Sequence, residues 1–179
     1  MSIDHAIEIA SPLICDEEGF RSDAYLDTIG NRWTIGYGTT GICGEPVHEG
    51  QTCTREEATG WVRQFIVETA RQVYEKVRVP LTDNQAAALI SFAYNCGIGT
   101  FERSVVLAEL NGGFPQEAAA RLLDYDDAGN GMVPGLRTRR QREQDLFLTP
   151  ADEPPPSPDN SADVLNEAEL QSLKKEQSA

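Results

Sequence analysis

Glu18-Gly-Phe-Arg-Ser-Asp-Ala-Tyr-Leu-Asp27, then Thr28-Ile-Gly-Asn-Arg-Trp33, then Thr34-Ile-Gly-Tyr-Gly38 is the stretch on which the reading of this chain turns. Gly19 is a helix stop signal, so Glu18 should close a helix. Upstream, Ser11-Pro12 reads as its start, with Ser as cap and Pro at the first helical position. From Phe20 to about Val47 the composition turns to Gly, Thr, Tyr and Ile around the turn-like Gly30-Asn31, which predicts a small sheet of two or three short strands.

Beyond that sheet the pattern is helical. Thr54-Arg-Glu-Glu57 is a capping box, and Ala58, Trp61, Val62, Phe65, Ile66, Ala70, Val73 and Val77 recur at three- and four-residue intervals, predicting one long helix that ends near Pro80. Thr82-Asp-Asn-Gln85 repeats the capping logic ahead of Ala86, Leu89, Ile90 and Ala93, a second helix that stops at Gly97. Further helices fit Glu102–Leu110, Pro115–Leu123 and Leu136–Leu148. The expected class is mainly α (α+β), with a small β region near the start.

After Thr149 the chain shifts to Ala-Asp-Glu-Pro-Pro-Pro-Ser-Pro-Asp-Asn, which has too little apolar surface to offset the entropy of ordering it. Residues 1–148 are therefore expected to form one domain, and 149–179 a Pro-rich acidic linker and tail. A short helix over Asp163–Lys175 has only Leu165, Leu170 and Leu173 to define a face.

The chain has 179 residues, 40% of them hydrophobic, enough for a core, and a formal charge of -14. Residues 1–148 carry 13 basic and 22 acidic side chains, and residues 149–179 carry 2 and 7. An acidic balance in both parts argues against a nucleic-acid partner, which needs clustered Lys and Arg; the one basic cluster is Arg137-Thr-Arg-Arg-Gln-Arg142. No run approaches the roughly 20 apolar residues of a membrane span, and the first residues lack the pattern of a signal peptide, so a cytoplasmic origin is expected. Cys15, Cys43, Cys53 and Cys96 form no Cys-x-x-Cys pair, and His5 and His48 are far apart, so no metal site is expected. Cys43 and Cys53 could bridge a loop, but free thiols packed as small hydrophobes are the preferred reading.

The chemistry lies in the opening stretch. It sets one carboxylate at a helix end, a second on the first strand and a hydroxyl on the next strand. Glycoside hydrolysis uses such a set: a protonated carboxyl to give the leaving oxygen its proton, and an ionised one to stabilise positive charge or activate water. Glu18 lies at the negative end of a helix dipole beside Asp16 and Glu17, which disfavours its ionisation and suits an acid. Asp27, in a polar turn, should be held ionised by backbone donors and water. On position alone, each has an ordinary alternative, a solvated helix-end carboxylate and a turn-capping aspartate.

Here the sequence resembles the phage-type lysozymes or endolysins of glycoside hydrolase family twenty-four. Their pattern is Glu-Gly, eight residues between the Glu and an Asp, then usually five before a Thr that opens Thr-Ile-Gly-Tyr-Gly. Glu18 and Asp27 keep the eight. Further likenesses are Pro80-Leu-Thr-Asp-Asn-Gln-Ala-Ala-Ala-Leu, Ser91-Phe-Ala-Tyr-Asn-Cys-Gly97, Phe101-Glu-Arg-Ser104, Leu110-Asn-Gly-Gly and Pro134-Gly-Leu-Arg-Thr-Arg-Arg140, spanning about residues 11–148. Two departures stand out: six residues separate Asp27 from Thr34, and Thr39 follows the Thr-Ile-Gly-Tyr-Gly run where the family often has His.

The resemblance implies a two-lobed lysozyme fold, with a small antiparallel β lobe, a helical C-terminal lobe and the long helix between. It implies Glu18 as catalytic acid, Asp27 as second carboxylate and Thr34 as the hydroxyl that helps hold the attacking water. Arg139, or its neighbour Arg140, matches the arginine that reaches back to the catalytic Glu. Tyr94, Asn95 and Ser104 match sugar-contacting positions, against an ordinary reading of packing for Tyr94 and capping for Ser104. The implied reaction is hydrolysis of the β-1,4 bond between N-acetylmuramic acid and N-acetylglucosamine in bacterial peptidoglycan. The implied protein is a monomer without metal or cofactor that waits in the host cytoplasm, reaches the wall with the help of a separate membrane-permeabilising protein, and lyses the host. Three alternatives remain: a lytic transglycosylase, a wall-binding module without turnover, and a virion-associated muramidase docked through residues 149–179.

Overall fold

The computed structural model describes residues 2–27, 30–127 and 133–151. The first helix, α1 (Ile3–Glu18), ends where Gly19 predicts, with Gly19 at φ +69°. Its start is a correction. Ser2, not Ser11, is the cap, accepting from the Asp4 N–H, and Pro12 lies inside the helix. A proline there removes one backbone hydrogen bond and crowds the preceding turn, at about 3 kcal/mol. The helix runs through because Ala6, Ile7, Ala10 and Ile14, all but fully buried, make one apolar face against the helices behind it. That burial spans both sides of Pro12 and outweighs the local break.

The β region holds two antiparallel pairs where one small sheet was expected: β1 (Arg21–Asp27) with β2 (Arg32–Gly36), and β3 (Gly41–Ile42) with β4 (Glu45–Pro46). β1 is also tied on its other edge, where Ala24 N–H donates to Gln51 O at 2.9 Å and Cys53 N–H to Ser22 O at 2.8 Å. Gly36, at φ +65°, ends β2 against α2 so closely that a Cβ on it would lie 2.7 Å from the Ala58 Cβ.

Helix α2 (Arg55–Lys76) starts at the Thr54–Glu57 capping box and α3 (Asp83–Cys96) at the Thr82–Gln85 box, both with the two reciprocal bonds present. α3 is the central helix: Ala86 to Ala93 is buried without interruption, with α1, α2 and α7 packed around it. The helix expected over Glu102–Leu110 is two, α4 (Ile98–Glu102) and α5 (Val105–Asn111). Ser104 breaks them, its hydroxyl donating to Phe101 O and accepting from Leu107 N–H as the cap of α5. α6 (Pro115–Leu122) runs into a 3₁₀ turn over Leu123–Tyr125, and α7 (Pro134–Leu148) begins two residues earlier than expected, with Pro134 in the first turn. The result is a mainly helical α+β fold with a small antiparallel β lobe near its start.

The chain stays attached past α7. Buried Asn84 donates its Nδ2 to Pro150 O at 3.0 Å and to Thr149 O at 3.4 Å, so the first residues after Leu148 seal the start of α3. The Pro-rich stretch and the Asp163–Lys175 helix lie outside the described residues. Among the described residues no helix is long and apolar enough to cross a membrane.

Candidate active site

Glu18 sits at the junction of α1 and the β lobe. Phe20, two residues on, packs on Tyr37 at the end of β2 with ring centroids 5.5 Å apart, and Arg55 of α2 lies over the Phe20 ring at 4.5 Å while donating to Tyr37 Oη at 3.0 Å. Stacked rings and a cation over one of them fix the angle at which the strand leaves the helix. The Glu18 side chain is 29% exposed and its Oε1 accepts from Arg139 Nη1 at 3.0 Å, across 121 residues of sequence.

The structure thereby resolves the choice between the two arginines. Arg139 is the one that reaches Glu18. Arg140 turns the other way, donating to Asn95 Oδ1 at 2.6 Å, lying over the Phe92 ring at 5.0 Å and facing Glu143 Oε2 at 3.0 Å. Arg142 Nη1 donates to Glu17 Oε1 at 2.8 Å, so the end of α1 is pinned to α7 by two pairs side by side. The basic cluster seen in the sequence is thus largely consumed in internal pairs, Arg137 with Asp126 included.

Asp27 and Thr34 lie on neighbouring strands. Thr34 is paired with Tyr25 and Arg32 with Asp27, so Asp27 and Thr34 are diagonal neighbours on one face of the hairpin. Gly30 N–H donates to Asp27 Oδ2 at 3.0 Å, holding that carboxylate against the turn. Thr34 is buried and its hydroxyl donates to Arg32 O at 3.2 Å, which leaves oxygen lone pairs to accept from a water. Pairing within the hairpin is uninterrupted from Tyr25–Thr34 to Asp27–Arg32.

Tyr94, half-buried on α3, is close enough to Glu18 and Arg139 to feel both charges. Burial first, and Glu18 second, push its hydroxyl upward. It also lines a small pocket of about 100 Å³ with Tyr37, Gly38, Thr39 and Phe65, between the β lobe and the helices. Asn95 is exposed and engaged by Arg140. Ser104 is buried as a helix cap and lines a separate groove with Lys76, Arg78 and Asn111. All four cysteines are free thiols; Cys15 and Cys53 are buried, and burial is the main cause of their raised values. Among the described residues no three His, Cys, Asp or Glu side chains gather where they could hold a metal.

Sequence reasoning missed Glu143, Ser91, the pairing of Glu17 with Arg142 and the Tyr37–Arg55 clamp. Glu143 is fully buried, its Oε1 accepting from Ser91 Oγ at 2.7 Å and from Arg139 Nε at 3.4 Å. The signal available was the spacing of Arg139, Arg140 and Glu143, which places opposite charges three and four residues apart on one helix.

A helix-end glutamate is thus gripped by an arginine from the last helix where the helices meet a hairpin that bears Asp27 and Thr34. The chain belongs to the phage lysozyme family, whose family model matches residues 15–143, and it is accordingly a peptidoglycan-hydrolysing enzyme. It is 36% identical over 147 residues to the endolysin of Acyrthosiphon pisum secondary endosymbiont phage 1, covering 80% of this chain and 97% of that protein. It is 38% identical over 138 residues to the endolysin of Bacillus phage B103, covering 76% of this chain but only 51% of that longer protein. Among solved structures, a variant of P22 lysozyme superposes with a TM-score of 0.72 at 35% identity, over 78% of this chain and 95% of that one.

Proposed function

We propose that this chain hydrolyses the β-1,4 bond between N-acetylmuramic acid and N-acetylglucosamine, with Glu18 as general acid and Asp27 and Thr34 handling the attacking water. The observation that carries the reading is the Glu18–Arg139 pair at 3.0 Å, formed where the β lobe meets the helices. In the reaction Glu18 gives its proton to the departing glycosidic oxygen as the C1–O bond breaks. A water, held by the Thr34 hydroxyl, forms the new C1–O bond and gives its proton to the Asp27 carboxylate. Inversion at C1 is the outcome we propose; it suits two carboxyls about 6.5–9.5 Å apart with a water between.

Mass spectrometry of digested peptidoglycan tests the reaction. Reducing N-acetylmuramic ends are expected. Anhydro ends would mean a transglycosylase, and no released fragments a binding module. Glu18→Gln and Asp27→Asn should each abolish or cripple release, and near-wild-type turnover in either would move that role elsewhere. Host lysis is the biological role we propose, with passage through the membrane supplied by a separate permeabilising protein. Wall breakdown on cytoplasmic expression, with and without an added permeabilising agent, tests that dependence.

A further inference from the structure

The charges behind Glu18 extend one residue further than its arginine. Arg139, Arg140 and Glu143 have side chains 5%, 0% and 0% exposed, on a face of α7 that packs against α3. Taking two guanidinium groups and a carboxylate out of water is costly, and apolar residues of the same volume would often be as stable or more so. Packing alone therefore gives no reason for Glu143. Its contacts do. One guanidinium serves two carboxylates: Nε of Arg139 donates to Glu143 Oε1 at 3.4 Å and Nη1 donates to Glu18 Oε1 at 3.0 Å. Ser91 on α3 donates to the same Glu143 oxygen at 2.7 Å and fixes its position. The guanidinium is a rigid planar fork, so fixing its Nε edge fixes where Nη1 points.

We propose that Glu143 is a positioning residue for the hydrolysis: it holds the Nε edge of Arg139 so that Nη1 is aimed at Glu18, and it shares that cation's charge with Glu18. This rests on the reading of Glu18 as the catalytic acid. The other groups facing the cluster are Cys15 and Glu17 from α1, Tyr94, Asn95 and Cys96 from α3, Arg140 and Arg142 from α7, and Tyr37 and Arg55 beside Cys15. Burial raises the Cys15 and Tyr94 groups and takes the Cys96 thiol to about 11, so these stay neutral through the neutral range. Glu17 is already paired with Arg142. Burial likewise raises Glu143, against the pull of Arg140 and then Arg139, to about 7, so the charge it sets against Arg139 grows as pH rises through neutrality.

The test is the pH profile of kcat/KM, read as reducing ends released from purified peptidoglycan. Glu143→Gln keeps the shape and an oxygen for Ser91 and Arg139 but removes the charge. Arg139 then acts undivided on Glu18, and the alkaline limb should move down by at least half a pH unit, a three-fold or greater fall in rate at pH 8 relative to the optimum. A limb that stays in place, or a loss of rate uniform in pH, overturns the proposal. If a thermal melt shows Glu143→Gln unfolded, Glu143→Asp keeps the charge but withdraws it from Arg139, and should shift the limb the same way by less; no shift overturns the proposal there too. Glu18→Gln run alongside separates the two claims. Turnover in that variant overturns the assignment of Glu18 itself, whereas an inactive Glu18→Gln with an unmoved limb in Glu143→Gln overturns only the role of Glu143.

Discussion

A cut after Leu148 and a cut after Ala151 differ by three residues and should differ measurably in stability. Composition places the end of the folded unit at 148, but Asn84, only 3% exposed, donates its side-chain amide to the carbonyls of Thr149 and Pro150. Thr149 in turn closes α7, its N–H donating to Leu146 O at 3.2 Å and its hydroxyl to Asp145 O at 2.8 Å. Ending the chain at Leu148 removes the Thr149 and Pro150 acceptors of this buried amide. Losing acceptors from a buried donor costs about 1–3 kcal/mol, and water entering at the new terminus recovers part of that, so about 1–2 kcal/mol is expected. For a unit of this size that is a fall in Tm of about 2–8 °C. The chain ending at Ala151 should melt with the full-length protein. Thermal melts of the three forms at one pH provide the assay, with wall lysis measured in parallel. Equal melting of both truncations would refute the reasoning, and a loss of stability in the form ending at Ala151 would show that the tail packs on the domain.

Gly36→Ala places a side chain at φ +65° and 2.7 Å from Ala58 Cβ, so about 2–4 kcal/mol of destabilisation is expected, with reduced lysis because β2, which carries Thr34, is pushed from α2; a melt within 1 °C of wild type would contradict this. Glu143 holds its proton to a higher pH folded than unfolded, so the unfolded chain binds fewer protons between about 4.5 and 7, and stability should fall as pH rises through that window. Thermal melts at pH 5 and 8 should show a drop that Glu143→Gln reduces, and an equal drop in both would assign it to the general negative charge. Lysis of purified walls should rise from 10 to 100 mM salt, because the Debye length shrinks from about 30 to about 10 Å and screens an acidic protein from an acidic wall. A steady fall across that range would show that a local positive face governs approach.

Where local chemistry decides, the sequence was readable. Thr54 and Thr82 have their capping partners three residues on, and both helices start there. Gly19 ends α1 because only a residue without Cβ takes φ +69° without strain. The failures came where tertiary contacts override local preference. Ser11-Pro12 has the form of a helix start, yet the helix runs through it because Ala6 and Ile7 on one side and Ile14 on the other are buried together. Ser104 sits within an apolar pattern that reads as one helix, and only the buried hydroxyl bonding both Phe101 and Leu107 makes it a break.

The site divides along the same line. Glu18, Asp27 and Thr34 lie within 17 residues of sequence, so one short pattern, and the resemblance it carries, is enough to nominate them together. Arg139 and Glu143 belong to the far end of the chain. The inward face of α7 is charged, so no apolar periodicity marks it; the resemblance points to Arg139 or Arg140 without deciding between them, and nothing in the sequence points to Glu143. Their meaning depends on Ser91 and Glu18 being brought against them by α3 and α1. Buried charge needs partners from other elements, and those partners are a property of the packing. For that reason the group proposed to tune the acid is the one the sequence did not single out, and the shift in its pH limb is the measurement that separates a tuned acid from a merely anchored one.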